Sequence, residues 1–150
     1  MRLLAPPGTP IDLESRKDRL SAELQATEGL IAALLFGSHG TPYQTPLSDV
    51  DIAIVYRPDL ERGASRHLDA TARICAAIGS DDVSVVDLRR APVTLQHAVL
   101  SESRPLLVAD QTIYADFIEE VLDRYCDYAP DHQTLVREYD AAMVERYASR

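Results

Sequence analysis

Two short apolar runs, "LIAALLF" at residues 30–36 and "DVDIAIVY" at 49–56, most limit what this chain can fold into. Both are of strand length and bounded by breakers, Gly37 after the first and Arg57 and Pro58 after the second, so both read as β-strands. The second carries Asp49 and Asp51. An ionised carboxylate is costly to take out of water, and two on one strand repel each other. No Lys or Arg lies between Gly37 and Tyr56 to offset them, which leaves a bound cation as the natural partner. Residues two apart on a strand share a face, roughly 6.6 Å from each other, so Asp49 and Asp51 project together while Val50, Ile52 and Ile54 anchor the strand in the core. Such oxygen ligands suit Mg2+ or Mn2+, and one or two carboxylates plus substrate phosphates is the usual manner in which Mg2+ is held. A strand that began only after Asp51 would instead leave two solvated turn aspartates beside Ser48.

Around these runs the pattern alternates. "IDLESRKDRLSAELQATEG" spaces Ile11, Leu13, Leu20 and Leu24 as an amphipathic helix that stops at Gly29. A second helix over "LERGASRHLDATARICAAIG" stops at Gly79. "VSVVDL" reads as a third strand, "APVTLQHAVLSES" as a helix with a proline near its start, and "RPLLVA" as a fourth strand. From Asp110 the pattern is helical, with Pro130 separating two stretches. Helices alternating with short apolar strands predict an α/β or α+β fold, a small mixed sheet flanked by helices. The 150 residues suit a single domain spanning 1–150, with a core over about 11–109 and a C-terminal helical appendage over about 110–150.

Composition excludes several function classes. The formal net charge of -9 works against a sequence-independent hold on phosphate backbones, so no direct nucleic-acid binding is expected, while a metal-nucleotide site or a basic protein partner fits. Cys75 and Cys126 are far apart and outside any CxxC pair, which argues against zinc and for free thiols in a reducing compartment. No stretch approaches the roughly 18 apolar residues of a membrane span, and "MRLLAPPGTP" lacks the apolar region of a signal peptide, so a cytoplasmic location is expected.

Gly37 and Ser38 follow the first strand. A glycine there permits close backbone approach, the serine offers a hydroxyl and an amide, and a helix starting next would turn those amides toward phosphate oxygens. A phosphate-cradling loop beside a metal-holding strand is the minimum for binding a nucleoside triphosphate. "GSHGTPYQTPLSDVD", which is Gly-Ser, ten residues, then Asp-x-Asp, resembles the signature of the nucleotidyltransferase superfamily that includes DNA polymerase beta. With "SVVDLRRAP", a helix and "RPLLVAD", residues 30 to 110 resemble more narrowly the minimal nucleotidyltransferases, the MNT antitoxins paired with HEPN-domain toxins.

The resemblance implies two Mg2+ ions bridging Asp49, Asp51 and the triphosphate of ATP, one activating the attacking hydroxyl and the other stabilising the leaving pyrophosphate. It places Gly37 and Ser38 on the β and γ phosphates. It further implies a HEPN ribonuclease toxin as partner, silenced by transfer of AMP to a tyrosine hydroxyl, with antitoxin and toxin in one oligomer. Two departures stand out. "GSHGTP" has Thr41 and Pro42 where the minimal enzymes often carry Arg and Gly. Ser84 occupies the place of the third carboxylate, normally the first Asp of a Val-Asp-Val-Val-Asp-Leu pattern, and a hydroxyl is a poorer Mg2+ ligand. On a strand over 82–88, Asp82 would share Ser84's face and is the stand-in for the third catalytic carboxylate, whereas Asp87 would face away.

Alternative functions are an antitoxin acting by binding alone and a small-molecule transferase of the antibiotic-modifying kind. Arg62 before His67 and Arg90 before His97 match the spacing of the HEPN ribonuclease motif, but accidental matches are expected at this arginine content. Arg89 and Arg90 suggest a solvated edge or a nucleotide or partner contact. Tyr114, Phe117, Val121, Leu122 and Tyr125 fall at helical spacing as core or as a docking face.

Overall fold

A computed structural model describes residues 12–37, 50–59 and 64–148, with side-chain detail in the last segment to Tyr128 and at scattered positions beyond. A 3-10 turn at Glu14–Arg16 leads into α1 (Lys17–Ala26). There follow β1 (Leu30–Phe36), β2 (Val50–Tyr56), α2 (Ala64–Ile78), β3 (Val83–Asp87), a 3-10 turn (Leu88–Arg90), α3 (Val93–Glu102), β4 (Arg104–Val108) and α4 (Gln111–Ala148). The strands form one mixed sheet in the order β3-β2-β1-β4. β1 pairs antiparallel with both β2 and β4, and β2 pairs parallel with β3 through the α2 crossover. This is the α+β arrangement expected from the alternation of helical and strand patterns.

The two central strands are apolar on both faces because both faces are covered. Val50, Ile52, Ile54 and Tyr56 point to one side with Leu35 and Ala33, against Leu20 and Leu24 of α1 and Ile74 and Ile78 of α2. Leu34, Ala53 and Val55 point to the other side, against Val99 of α3 and Phe117 and Val121 of α4. Each strand thus lacks a solvated face, which is why neither run alternates with polar residues.

Gly79 ends α2 at φ +79, its N–H bonded to the Cys75 carbonyl, the stop that the sequence pattern predicts. The expectation for Pro130 is corrected: α4 runs through it as one helix. A mid-helix proline removes one backbone hydrogen bond, and the turns on either side keep theirs, so the residue need not end the helix. No helix of the described residues is long and apolar enough to cross a membrane.

Candidate functional site

The C-terminal end of β1 and the N-terminal ends of β2 and β3 meet at one edge of the sheet. In register, Phe36 lies opposite Asp51 across the antiparallel pair, and Asp51 lies opposite Ser84 across the parallel one. Asp51 alternates with the fully buried Val50 and Ile52, so its carboxylate is on the α3 and α4 face of the sheet, at the margin where coverage ends. It is half-buried between the half-buried Phe36 and the exposed Ser84.

Gly37 adopts φ +80, the left-handed region that glycine enters without steric cost. A Cβ built there would overlap Asp51 Oδ2 and stand 3.2 Å from Asp51 Cγ. The Gly37 backbone therefore lies directly against the Asp51 carboxylate, and any side chain at 37 would displace it. Ser38, His39, Thr41, Pro42 and Asp49 lie outside the described residues.

Asp82 falls just before β3 rather than on it, because the strand begins at Val83. Pairing nevertheless reaches it: the Val50 N–H donates to the Asp82 carbonyl at 3.0 Å, and the Asp82 N–H donates to Ser80 Oγ at 3.0 Å. Its backbone is thereby fixed one pleat before Ser84 while its side chain is exposed. Asp87 takes the opposite face from Ser84, as parity requires, and lies 3.8 Å from the Arg90 guanidinium. Among the described residues no three His, Cys, Asp or Glu side chains converge as a metal cluster. The carboxylate of Asp51 is a hard oxygen ligand of the kind that suits a divalent ion such as Mg2+.

Several polar residues that the sequence leaves open are structural. Arg89 is turned inward: its Nε–H donates to the Tyr56 carbonyl, its guanidinium lies 4.9 Å from the Phe117 ring centroid, and Nη1 is 3.7 Å from Glu120. That geometry replaces the solvated-edge reading. Gln96, fully buried, donates to the Leu88 carbonyl at 2.8 Å and accepts from Arg124 at 3.0 Å. His67 lies 3.0 Å from both the Tyr56 hydroxyl and the Val85 carbonyl, and His97 stacks on Tyr125 at 3.6 Å between centroids. Both histidines of the HEPN-like spacings thus have packing roles. A cavity of about 140 Å³ lined by Thr27, Glu28, Tyr56, Arg66, Asp69, Ala70 and Arg73 opens at the Tyr56 end of β2. It is about 17 Å along the strand from Asp51, and an ion pair of Arg66 with Glu28 at 3.3 Å crosses it.

Sequence reasoning missed how Phe36 and Ser84 bracket Asp51, since register depends on pairing. The signal was there in the place of Phe36 as the last apolar residue before Gly37 and of Ser84 within "VSVVDL".

The family model described as polymerase beta nucleotidyltransferase matches residues 18–112. No curated protein matches the chain in sequence. Among solved structures, a chain from the complex of tri-AMPylated Shewanella oneidensis HEPN toxin with MNT antitoxin superposes with a TM-score of 0.66 at 22% identity, covering 85% of this chain and 98% of that one. A chain from a toxin-antitoxin complex with AMP-PNP gives 0.67 at 23% identity, over 82% of this chain and 97% of its own. A chain of the MntA-HepT toxin-antitoxin gives 0.63 at 21%, over 84% and 97%. At these identities the likeness is one of fold.

Proposed function

Because the chain belongs to the polymerase beta nucleotidyltransferase family, we propose that it is an antitoxin that transfers AMP from ATP to a tyrosine hydroxyl of a HEPN-type toxin. The observation that carries this reading is the seating of the Asp51 carboxylate directly against Gly37, the residue before Ser38. The fold it shares with chains from complexes that hold an AMPylated HEPN toxin and AMP-PNP supports the choice of nucleotide and acceptor.

In this reading Gly37 and Ser38 take the β and γ phosphates with backbone amides and the serine hydroxyl. Asp49 and Asp51 would hold Mg2+, with Asp82 as the third carboxylate. Bound Mg2+ supplies positive charge against the triphosphate and the leaving pyrophosphate. The acceptor tyrosine gives up its hydroxyl proton to solvent water, and its oxygen bonds to the α-phosphorus. The bond from that phosphorus to the bridging oxygen breaks, and pyrophosphate leaves with the electron pair. Asp51, fixed by pairing on both sides, and Gly37, fixed by its φ, contribute position: neither has to reorganise as charge moves.

One observation favours a second reading, in which the protein neutralises its toxin by binding alone. Ser84, the residue directly opposite Asp51, offers a hydroxyl where a carboxylate would complete a stronger cation site. Label transfer from ATP labelled at the α-phosphate, with Mg2+ and co-purified toxin, separates the two. Label on the toxin that disappears in the Asp49→Asn, Asp51→Asn protein is the expected result. A stable complex that never takes label would establish the second reading.

A further inference from the structure

Phe36 is the residue at which β1 leaves the core. The six residues before it are fully buried, whereas Phe36, the last of the strand, is half-buried. By alternation it shares a face with Leu34, and its inner part packs against the core on the α3 and α4 side. The rest of the ring reaches solvent. The chain has two phenylalanines and no tryptophan, so it is sparing with rings that lack a polar handle. Phe117 is 1% exposed, sealed under the Arg89 guanidinium at the closed end of the sheet. Phe36 stands at the other end.

Its neighbours there give the ring a use. Phe36 is paired with Asp51 across the antiparallel ladder, so the two side chains share a face with their Cβ atoms roughly 5 Å apart. Gly37, the next residue, adds no side chain and lies against the Asp51 carboxylate. On the other side of Asp51 is Ser84, short and exposed. From β3 through β2 to β1 the edge of the sheet therefore presents a hydroxyl, a carboxylate and an aromatic ring.

These three groups suit different chemistry. A carboxylate takes a cation and, through it, phosphate oxygens, while a hydroxyl takes a hydrogen bond. The face of a phenyl ring is met best by another flat apolar face. Of the parts of a nucleoside triphosphate, the base has such a face. Stacking of a base on an aromatic side chain works for every base, and a purine covers more of the ring than a pyrimidine does.

We propose that Phe36 is the stacking platform for the base of the bound nucleotide, and that the site takes purine nucleoside triphosphates as a class ahead of pyrimidine ones. The inference rests on the AMP-transfer reading above and deepens it. The base lies on the β1 side of Asp51, which leaves the Ser84 side to the incoming tyrosine hydroxyl.

The test is calorimetric titration of the full chain, with Mg2+, using wild-type, Phe36→Leu and Phe36→Tyr proteins. Three probes are compared: AMP-PNP, the cytidine analogue CMP-PNP, and inorganic tripolyphosphate, which keeps the phosphates and lacks the nucleoside. The wild type is expected to bind AMP-PNP several-fold more tightly than CMP-PNP. Phe36→Leu keeps an apolar side chain for the core and removes the ring. It is expected to lose about tenfold in AMP-PNP affinity with tripolyphosphate affinity unchanged, and Phe36→Tyr to regain the loss. Urea unfolding of each variant reports that the fold is intact, and the comparison of the two analogues on the wild type needs no variant at all. Undiminished AMP-PNP affinity in Phe36→Leu would overturn the platform assignment. An equal loss for AMP-PNP and tripolyphosphate would also overturn it, by making Phe36 a support of the phosphate site. Unchanged AMP-PNP binding with lost label transfer to the toxin would give the ring to the acceptor tyrosine instead. Equal wild-type affinity for AMP-PNP and CMP-PNP would overturn the purine preference. A wild-type protein that binds neither AMP-PNP nor tripolyphosphate would overturn the nucleotide reading itself.

Discussion

At its Tyr56 end, β2 is closed by side chains from four elements. Arg89 donates to the Tyr56 carbonyl from the turn after β3, His67 of α2 meets the Tyr56 hydroxyl, Phe117 of α4 lies under the Arg89 guanidinium, and Arg57 is 3.9 Å from Asp110. At its Asp51 end the same strand presents a carboxylate beside a glycine with no side chain and a serine with a short one. The difference teaches where the fold spends its polar groups. A charged side chain such as Arg89, whose contacts are internal, holds elements together, whereas the half-buried Asp51 carboxylate stands at the margin of the covered sheet against the Gly37 backbone. The strand between the two ends is fully buried from Ile52 to Tyr56, so the position of Asp51 is tied to the packing of the closed end.

The comparison can be broken at either end. The largest effect is expected from Asp49→Asn with Asp51→Asn, which should lower Mg2+-dependent AMP transfer by on the order of 10³-fold or more. Urea unfolding of that variant should show no loss of stability, since asparagine keeps the shape and removes a like-charge pair. A marked loss would mean that the aspartates are structural.

Gly37→Ala comes next. The left-handed φ costs a non-glycine residue roughly 1–2 kcal/mol, and the new Cβ would push Asp51 aside, so transfer should fall by roughly 10²-fold with only that modest loss of stability. Arg89→Ala should invert the pattern. It should destabilise the chain by about 2–3 kcal/mol in urea unfolding, by stripping the Tyr56 carbonyl of a charged donor and Phe117 of its cation, while AMP-PNP affinity is unchanged.

The smallest effect concerns alkaline pH. Tyr114, half-buried at the start of α4, has its hydroxyl pushed above the usual 10.0 by desolvation. Its contribution to stability is therefore complete below pH 10 and lost as pH rises through the folded-state value. Tyr114→Phe should unfold with a shallower alkaline limb.

The strands, and with them the place of Asp51 near the start of β2, were legible in the sequence because each rests on a local pattern. Runs bounded by breakers fix β1 and β2, and the alternation along β2 fixes the face that Asp51 takes. Arg89 was not legible: its acceptor, the Tyr56 carbonyl, is 33 residues away, and only the pairing of β2 with β3 brings the two together. The place of Asp82 depended on where β3 begins, a boundary of one residue that parity reasoning assumes rather than derives. Pro130 misled because a helix can forgo one hydrogen bond when its neighbours keep theirs, and the local rule has no access to that trade.

The claim that the open end of β2 is a metal-nucleotide site is tested most directly by calorimetric titration of AMP-PNP into the wild-type and Asp51→Asn proteins, each with and without Mg2+. The account predicts binding by the wild type that strengthens at least tenfold with Mg2+, and an Asp51→Asn protein in which that Mg2+ dependence is gone. Equal affinity in all four titrations would contradict it and leave Asp51 without the role assigned here.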